Sequence, residues 1–499
     1  MSVPVRTFSK HRSRSVPIGP HTARALEREQ EMHWNRAFTW TAVVGALVWG
    51  GCGGEATPGS GSLALGGATD STTRPDDTVL VLGDAGAPEV DIIDPPPVDT
   101  IPPPGAVVID VERELMITDL SVVEDPVRTT GDGVWTFGHL MSEMAGDIPP
   151  GEFVMQWLRE WEVDQQFGDS VAPARPPIRT LIIDPWLARS GCAAGATSCE
   201  LDLASAPFRL LAIVNRLDLR DAELTGPGGS EDAHTRHSGE GRFVFGVLGP
   251  AGERLRFTVI FEYTQVADTA AEVQEWAQRW HDLGAIPFGP DYNAALEEVT
   301  HLFAGANMAP GRPNGSAIAQ VRTNEIAITP IWELREFLLS ESGLHLAPIQ
   351  QTPDFSENGT NKLRNRIRSH ESAILDGSYR VPPGQLGAIG PTPTSRFFWD
   401  APGLTDHAAA RHQFSLNTCS GCHAGETATR FLHVGTREAG AEAVLSGFLV
   451  GAQVADPVTG EVRTFADLDR RAQDMVDVLT ATLDTVPPRG RGMSGARVH

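Results

Sequence analysis

An α+β fold is predicted for most of this 499-residue chain, as a mixed α/β globular domain followed by a small, mainly α C-terminal segment. Three observations predict it. Between residues 108 and 400, amphipathic stretches with Trp and Leu at helical spacing are interspersed with short apolar runs rich in β-branched and aromatic residues. The two kinds do not alternate regularly, as a doubly wound parallel sheet would require. Beyond residue 400, RTFADLDRRAQDMVDVLTATL places Phe465, Leu468, Ala472, Met475, Leu479 and Leu483 on one apolar stripe.

Taken in order, EFVMQWLREWEV (152–163), AEVQEWAQRWHDL (271–283) and PIWELREFLLS (330–340) read as helices. RLLAIVNRLDL (209–219), GRFVFGVLG (241–249) and LRFTVIFEYTQV (255–266) read as strands, with Gly- and Asp-rich loops between them. The sequence Asn215-Arg216-Leu217-Asp218-Leu219-Arg220-Asp221 follows a strand, and Glu231, Asp232, His234 and His237 crowd the next loop. A metal or an acid–base pair could use such groups, but a salt-bridged strand end and a solvated loop are the commoner outcome. No G-x-S-x-G, H-E-x-x-H, P-loop or dinucleotide fingerprint occurs.

Composition narrows the class. With 21% charged and 41% hydrophobic residues, 51 Gly, 37 Pro and five Cys, the chain is neither collagenous, disulfide-dense nor multi-pass membrane. A net charge of −24 leaves no field for a phosphate backbone, so nucleic acid is excluded as a partner.

The N-terminal region reads as an address. Residues 37–49, AFTWTAVVGALVW, follow Arg36 and precede Gly50-Gly51-Cys52. Thirteen apolar residues are too few to span a bilayer and suit the h-region of an export signal covering residues 1–51, with Met32 an alternative start. Small residues before Cys52 resemble a bacterial lipobox, with Trp49 where Leu, Val or Ile is preferred, so Cys52 is the expected lipidation site. Removing residues 1–51, which carry a net +4, leaves −28. Residues 52–107 lack periodic apolar positions and end in DIIDPPPVDTIPPPG, the composition of a disordered Gly/Pro-rich tether. The expected location is the cell envelope, lipid-anchored to the outer membrane or facing the periplasm.

Five cysteines in an exported chain then divide simply. Cys52 takes the lipid, Cys192 and Cys199 close a short loop as a disulfide, and Cys419 and Cys422 stand in NTCSGCH. Cys419-Ser420-Gly421-Cys422-His423 is the C-x-x-C-H of c-type haem attachment: two thiols three residues apart reach the vinyl groups of one porphyrin edge, and the adjacent His ligates iron. At this composition about 0.0015 chance occurrences are expected, so the match is specific. One covalent haem c is therefore expected, with His423 as proximal ligand. Zinc held by Cys419, Cys422, His423 and His433, a dithiol, or a plain disulfide are the rivals.

For the second axial position His433 is the first candidate, with Met493 and Met475 as alternatives and an open site last. Met475 lies on the apolar stripe and reads more readily as core; Met493 sits in a Gly-rich loop. His407 and His412 are outside candidates, and Arg430 and Arg437 could neutralise propionates.

FSLNTCSGCHAGET, with FRLLAIVNRLDLR and TNEIA upstream, resembles a group of poorly characterised predicted lipoproteins of myxobacteria-like bacteria that carry one C-terminal haem-type motif. The resemblance covers most of residues 108–499 and implies only a large domain of unknown function (108–400) fused to a haem-type segment (401–499). The motif itself resembles c-type cytochromes in general, which implies thioethers at Cys419 and Cys422 and iron ligation by His423. The expected function is electron transfer by an envelope monohaem lipoprotein, an electron carrier rather than a catalyst, toward a redox partner with a basic surface. An envelope redox enzyme with a relay haem, or a surface binding or structural lipoprotein whose motif is a disulfide or zinc site, are the alternatives.

Overall fold

The structure, a computed structural model, describes residues 106–193, 199–220, 237–267, 269–328 and 331–486. Cys52, Met493, the signal and nearly all of the tether lie outside these residues, as do Glu231, Asp232, His234 and the side chain of His237. All described residues fall within one compact unit, and the fold is α+β. Among them, no helix is long and apolar enough to cross a membrane.

An eight-stranded antiparallel sheet organises the unit. Its strands are β1 (Met116–Ile117), β2 (Phe208–Arg216), β3 (His237–Leu248), β4 (Arg254–Val266), β5 (Ile318–Glu325), β6 (Trp332–Ser340), β7 (Gly343–Ala347) and β8 (Gly390–Thr392). They lie in the order β1-β2-β3-β4-β5-β6-β8, and β7 pairs with the same edge of β6 as β8. Side-chain alternation gives the sheet two unlike faces. Phe243 and Phe245 of β3, Phe257, Val259, Phe261 and Tyr263 of β4, and Phe337 of β6 point to one face and are all buried.

Helices α1 (Phe137–Met144), α2 (Pro150–Arg159), α3 (Ala270–Gly284) and α4 (Pro290–Ala304) cover this aromatic face. Phe137 stacks on Phe208 at 3.7 Å, Trp161 just beyond α2 meets Phe337 at 4.8 Å, and Phe303 of α4 sits 5.7 Å from Tyr263. Burial of aromatic rings of this size dominates the apolar contribution to the fold. The start of α3 is fixed by a capping box, in which Thr269 accepts from the Glu272 amide and the Glu272 side chain accepts from the Thr269 amide.

The opposite face is charged and equally buried. Directly opposed residues alternate in sign: Arg216 of β2 faces Glu240 of β3, Arg242 faces Glu262 of β4, and Arg322 of β5 faces Glu336 of β6. All six are at most 6% exposed. Residues 401–486 lie in the same compact unit, and His423, His433, Phe448 and Leu449 from this stretch meet the charged face. The stretch comprises α5 (Ala408–Leu416), α6 (Cys419–Cys422), a hairpin of β9 (Ala452–Ala455) with β10 (Val462–Phe465), and α7 (Asp467–Thr480).

Two element expectations need correction. The segment read as a helix at 330–340 is β6: Trp332, Leu334 and Glu336 lie on one face and Glu333, Arg335 and Phe337 on the other. The charges that obscure its period are buried in pairs, Arg335–Glu333 at 3.2 Å and Arg322–Glu336 at 2.9 Å. The apolar stripe is also shorter than the sequence suggests, since Phe465 belongs to β10 and Leu483, beyond α7, is 56% exposed.

Candidate functional site

The motif is built on a tight turn from α5 into α6. Thr418 caps α6: its hydroxyl accepts from the Gly421 amide at 3.1 Å and donates to the Ser415 carbonyl at 2.7 Å. The Cys419 amide donates to Thr352 Oγ1 at 3.0 Å, and Thr392 of β8 donates to the Ser420 carbonyl at 3.3 Å. Gly421 allows this close approach, because a Cβ there would stand 2.1 Å from the Ser415 carbonyl oxygen. Gly421→Ala is therefore expected to lower stability by about 1–3 kcal/mol, read as the shift in urea midpoint. An unchanged midpoint would show that the turn has slack.

Cys419 and Cys422 are reduced and have no exposed surface. Burial pushes the Cys419 thiol up to about 12, and burial, with the nearby Asp467 charge, pushes Cys422 well above its ordinary value. Neither is an activated nucleophile in this state. His423 is held on several sides. Trp332 stacks on its ring at 5.0 Å, its Nδ1 donates to the Phe431 carbonyl at 2.7 Å, and its own carbonyl accepts from the Phe431 amide at 3.1 Å. Phe431 adopts φ 74°, an unusual conformation for an aromatic residue, and its carbonyl meets His423 from there. Burial brings the His423 imidazole down to about 4, so it is neutral at physiological pH.

His433 lies beside it, with ring centroids 4.5 Å apart and the rings edge to face. Its Nδ1 bonds Ser446 Oγ at 2.9 Å and its Nε2 is 3.5 Å from Cys422 Sγ. Burial, reinforced by His423 and by the Arg471 and Arg216 charges, holds it neutral as well. In both histidines a hydrogen bond holds Nδ1 and orients the ring, the arrangement in which Nε2 would be the nitrogen to meet a metal.

His423 and His433 form part of the roof of a cavity whose floor is the charged face of the sheet. Val214, Arg216, Arg242, Val244, Thr258, Ile260, Glu262, Arg322 and Asn324 supply the floor, Phe448 and Leu449 complete the roof, and Arg471 stands at the side. The space is about 660 Å3 with its open mouth included, while the part a water-sized sphere can traverse is about 70 Å3, room for a few waters.

The donor set fits a c-type haem: two thiols in the right spacing, and a neutral His with its Nδ1 fixed and its ring against a cavity. The enclosed volume does not yet admit a porphyrin. Two imidazoles on opposite sides of one iron would have centroids about 6 Å apart, given metal–nitrogen bonds near 2 Å. At 4.5 Å, His433 would have to move outward to serve as sixth ligand. Met475 is fully buried in the core, its sulfur 3.9 Å from Asn215 Nδ2, and does not line the cavity. His407 pairs with Glu371 at 2.8 Å. Arg437 donates to the Leu210 and Val123 carbonyls at 2.9 and 3.2 Å, away from the cavity. Cys192 and Cys199 form a disulfide.

A zinc site at the motif is not assembled. Among the described residues, the only group of three ligand atoms lying within 4.8 Å of one another is His412, Glu426 and Asp456. Those carboxylates are already met by Arg411 and Arg463. The arginines of the floor are the residues the sequence leaves unmarked as site-forming. Arg216 stands in a run that reads as a salt-bridged strand end, and it does pair with Asp218 at 2.9 Å, yet it also lines the cavity.

No family profile, no curated protein and no solved structure matches this chain.

Proposed function

We propose that the protein is a monohaem c-type cytochrome-like electron-transfer protein of the cell envelope, tethered by a lipid on Cys52. A single observation carries this reading: a complete C-x-x-C-H whose histidine is neutral, fixed through Nδ1 by the Phe431 carbonyl, and set against a cavity. Cys419 and Cys422 would anchor the group and His423 would ligate its iron. Haem bound there would supply a one-electron couple whose potential is set by axial ligation and by surrounding hydrogen bonds and burial. The chain's own contribution is to hold the His423 ring between Trp332 and the Phe431 clamp and to exclude water with the buried roof.

A second reading is an envelope redox enzyme with a relay haem, and the polar floor favours it. Buried ion pairs return little net stability, so a floor of them beside His423 points to a bound molecule. The test is the alkaline pyridine spectrum of the exported chain, matured with a haem-attachment system, alongside Cys419→Ala/Cys422→Ala. Covalent haem in the wild type, lost in the variant, is expected. A colourless wild type from a host that matures a control cytochrome would sink the proposal.

A further inference from the structure

We infer that the cavity beneath His423 and His433, together with its open mouth, binds a small organic acid with an apolar body and a hydroxyl group that displaces the few waters of the enclosed part, its carboxylate seated between Arg216 and Arg471. Four guanidiniums, Arg216, Arg242, Arg322 and Arg471, line the cavity against one carboxylate, Glu262. Their other partners, Asp218, Asp467, Glu240 and Glu336, are not part of the lining.

The balance is most uneven at the α7 end. There, among the described residues, Arg216, Arg470 and Arg471 form ion pairs with two carboxylates, Asp218 and Asp467, and Glu240 stands opposite Arg216: Arg470 bridges both aspartates, at 2.7 and 2.8 Å, while Arg216 uses Nε and Nη2 on Asp218 and Arg471 uses Nε and Nη2 on Asp467. The Nη1 groups of Arg216 and Arg471 take no part in these pairs. A guanidinium nitrogen left outside such a pair can still donate to a carboxylate oxygen. Burial, with the Arg216 charge, brings Arg471 down to about 10 against the opposing pull of Asp467 and Asp218.

A second observation sets the ligand's other end. Asn324, 3% exposed and lining the floor, donates from Nδ2 to Thr258 Oγ1 at 2.9 Å, while its Oδ1 is buried with no hydrogen-bond partner. A buried acceptor without a donor is costly unless a ligand supplies one. A hydroxyl does so. Val214, Val244, Ile260 and Leu334 give the apolar surface between the two polar ends.

The inference deepens the proposed function and rests on it only for the state in which it is tested first. A haem propionate carries the same carboxylate chemistry, so the experiment separates the sources. The matured exported chain and its haem-less Cys419→Ala/Cys422→Ala form are titrated calorimetrically with 4-hydroxybenzoate, benzoate and neutral 4-hydroxybenzamide. 4-Hydroxybenzoate is expected to bind the matured chain, with affinity about tenfold or more lower in Arg471→Gln and partly restored in Arg471→Lys. Asn324→Ala is expected to weaken 4-hydroxybenzoate while leaving benzoate unchanged.

Equal affinities in wild type and Arg471→Gln would overturn the assignment, as would binding confined to the haem-less form, which gives the seat to a propionate. If the wild type proves colourless, the same affinity ratios are read on it directly, so failure of the haem reading and failure of the anion seat are separate results.

Discussion

Arg411→Met is expected to destabilise the folded chain by about 3–5 kcal/mol, as breaking one side of a buried ion network does. Arg411 is fully buried and donates to both oxygens of Glu426 at 2.9 Å and to Asp456 Oδ2 at 2.9 Å. His412 bonds the same Glu426, and Arg463 reaches Asp456 at 3.2 Å. The network fastens three pieces together: α5, the loop after His423, and the turn of the β9–β10 hairpin. Without Arg411 two buried carboxylates lose their shared cation. Equilibrium urea unfolding measures the loss, and adding Glu426→Gln to the variant should return part of it. A loss under about 1 kcal/mol would show that water reaches the cluster.

The same network sets an acid limit. Burial alone would raise the Glu426 carboxyl, but hydrogen bonds from His412 and Arg411 hold it below its ordinary value. Asp456 is likewise opposed by burial but held at about 2 by the Thr459 and Val458 amides and the Arg411 charge. Carboxyls depressed in the folded state contribute stability that is complete above their unfolded value, near 4, and is lost as pH falls toward 2. The wild type should therefore lose stability over that interval, and Arg411→Met should show a shallower slope there.

His423→Ala is expected to reduce the yield of covalently haem-bearing protein by about tenfold or more, since even supporting partners of a ligating His cost 10–100-fold. The protein that does mature should keep the same alkaline pyridine spectrum, which reports attachment through Cys419 and Cys422. Its native spectrum should lose the signature of imidazole ligation. His433→Ala, by contrast, should leave the yield unchanged, because His433 meets the motif from the side, at Cys422 Sγ and the edge of the His423 ring. Reversed effects of the two substitutions would make His433 the proximal ligand.

Local pattern carries much of this architecture. In β4 the period of two is plain, Phe257, Val259, Phe261 and Tyr263 against Thr258, Ile260 and Glu262, and α3 announces itself through Thr269, Glu272 and its Trp spacing. The C-x-x-C-H motif and the Cys192–Cys199 pair are likewise legible, because each is a short-range arrangement. The charged floor is not. Glu262, Arg322 and Glu336 alternate with apolar residues as a solvated face would, yet all three are buried, Glu262 and Arg322 in a floor roofed by residues from the distant C-terminal stretch and Glu336 beside Gln350. The reading of 330–340 as a helix has the same origin, since Arg335 and Glu336 find partners on β5, in Glu325 and Arg322, that no local pattern announces.

The complete burial of Cys419 and Cys422 imposes an order of events. Anything that joins a porphyrin to those sulfurs must reach them before α6 docks on α5 and β8, because afterwards neither thiol has surface to offer. On the proposed reading, attachment and closure would compete for one interval after export. A chain that closed first would be sealed colourless until it opened again, and occupancy would be a matter of kinetics more than of affinity. Substitutions that delay closure without unfolding the sheet would lengthen the interval and raise the fraction of coloured molecules.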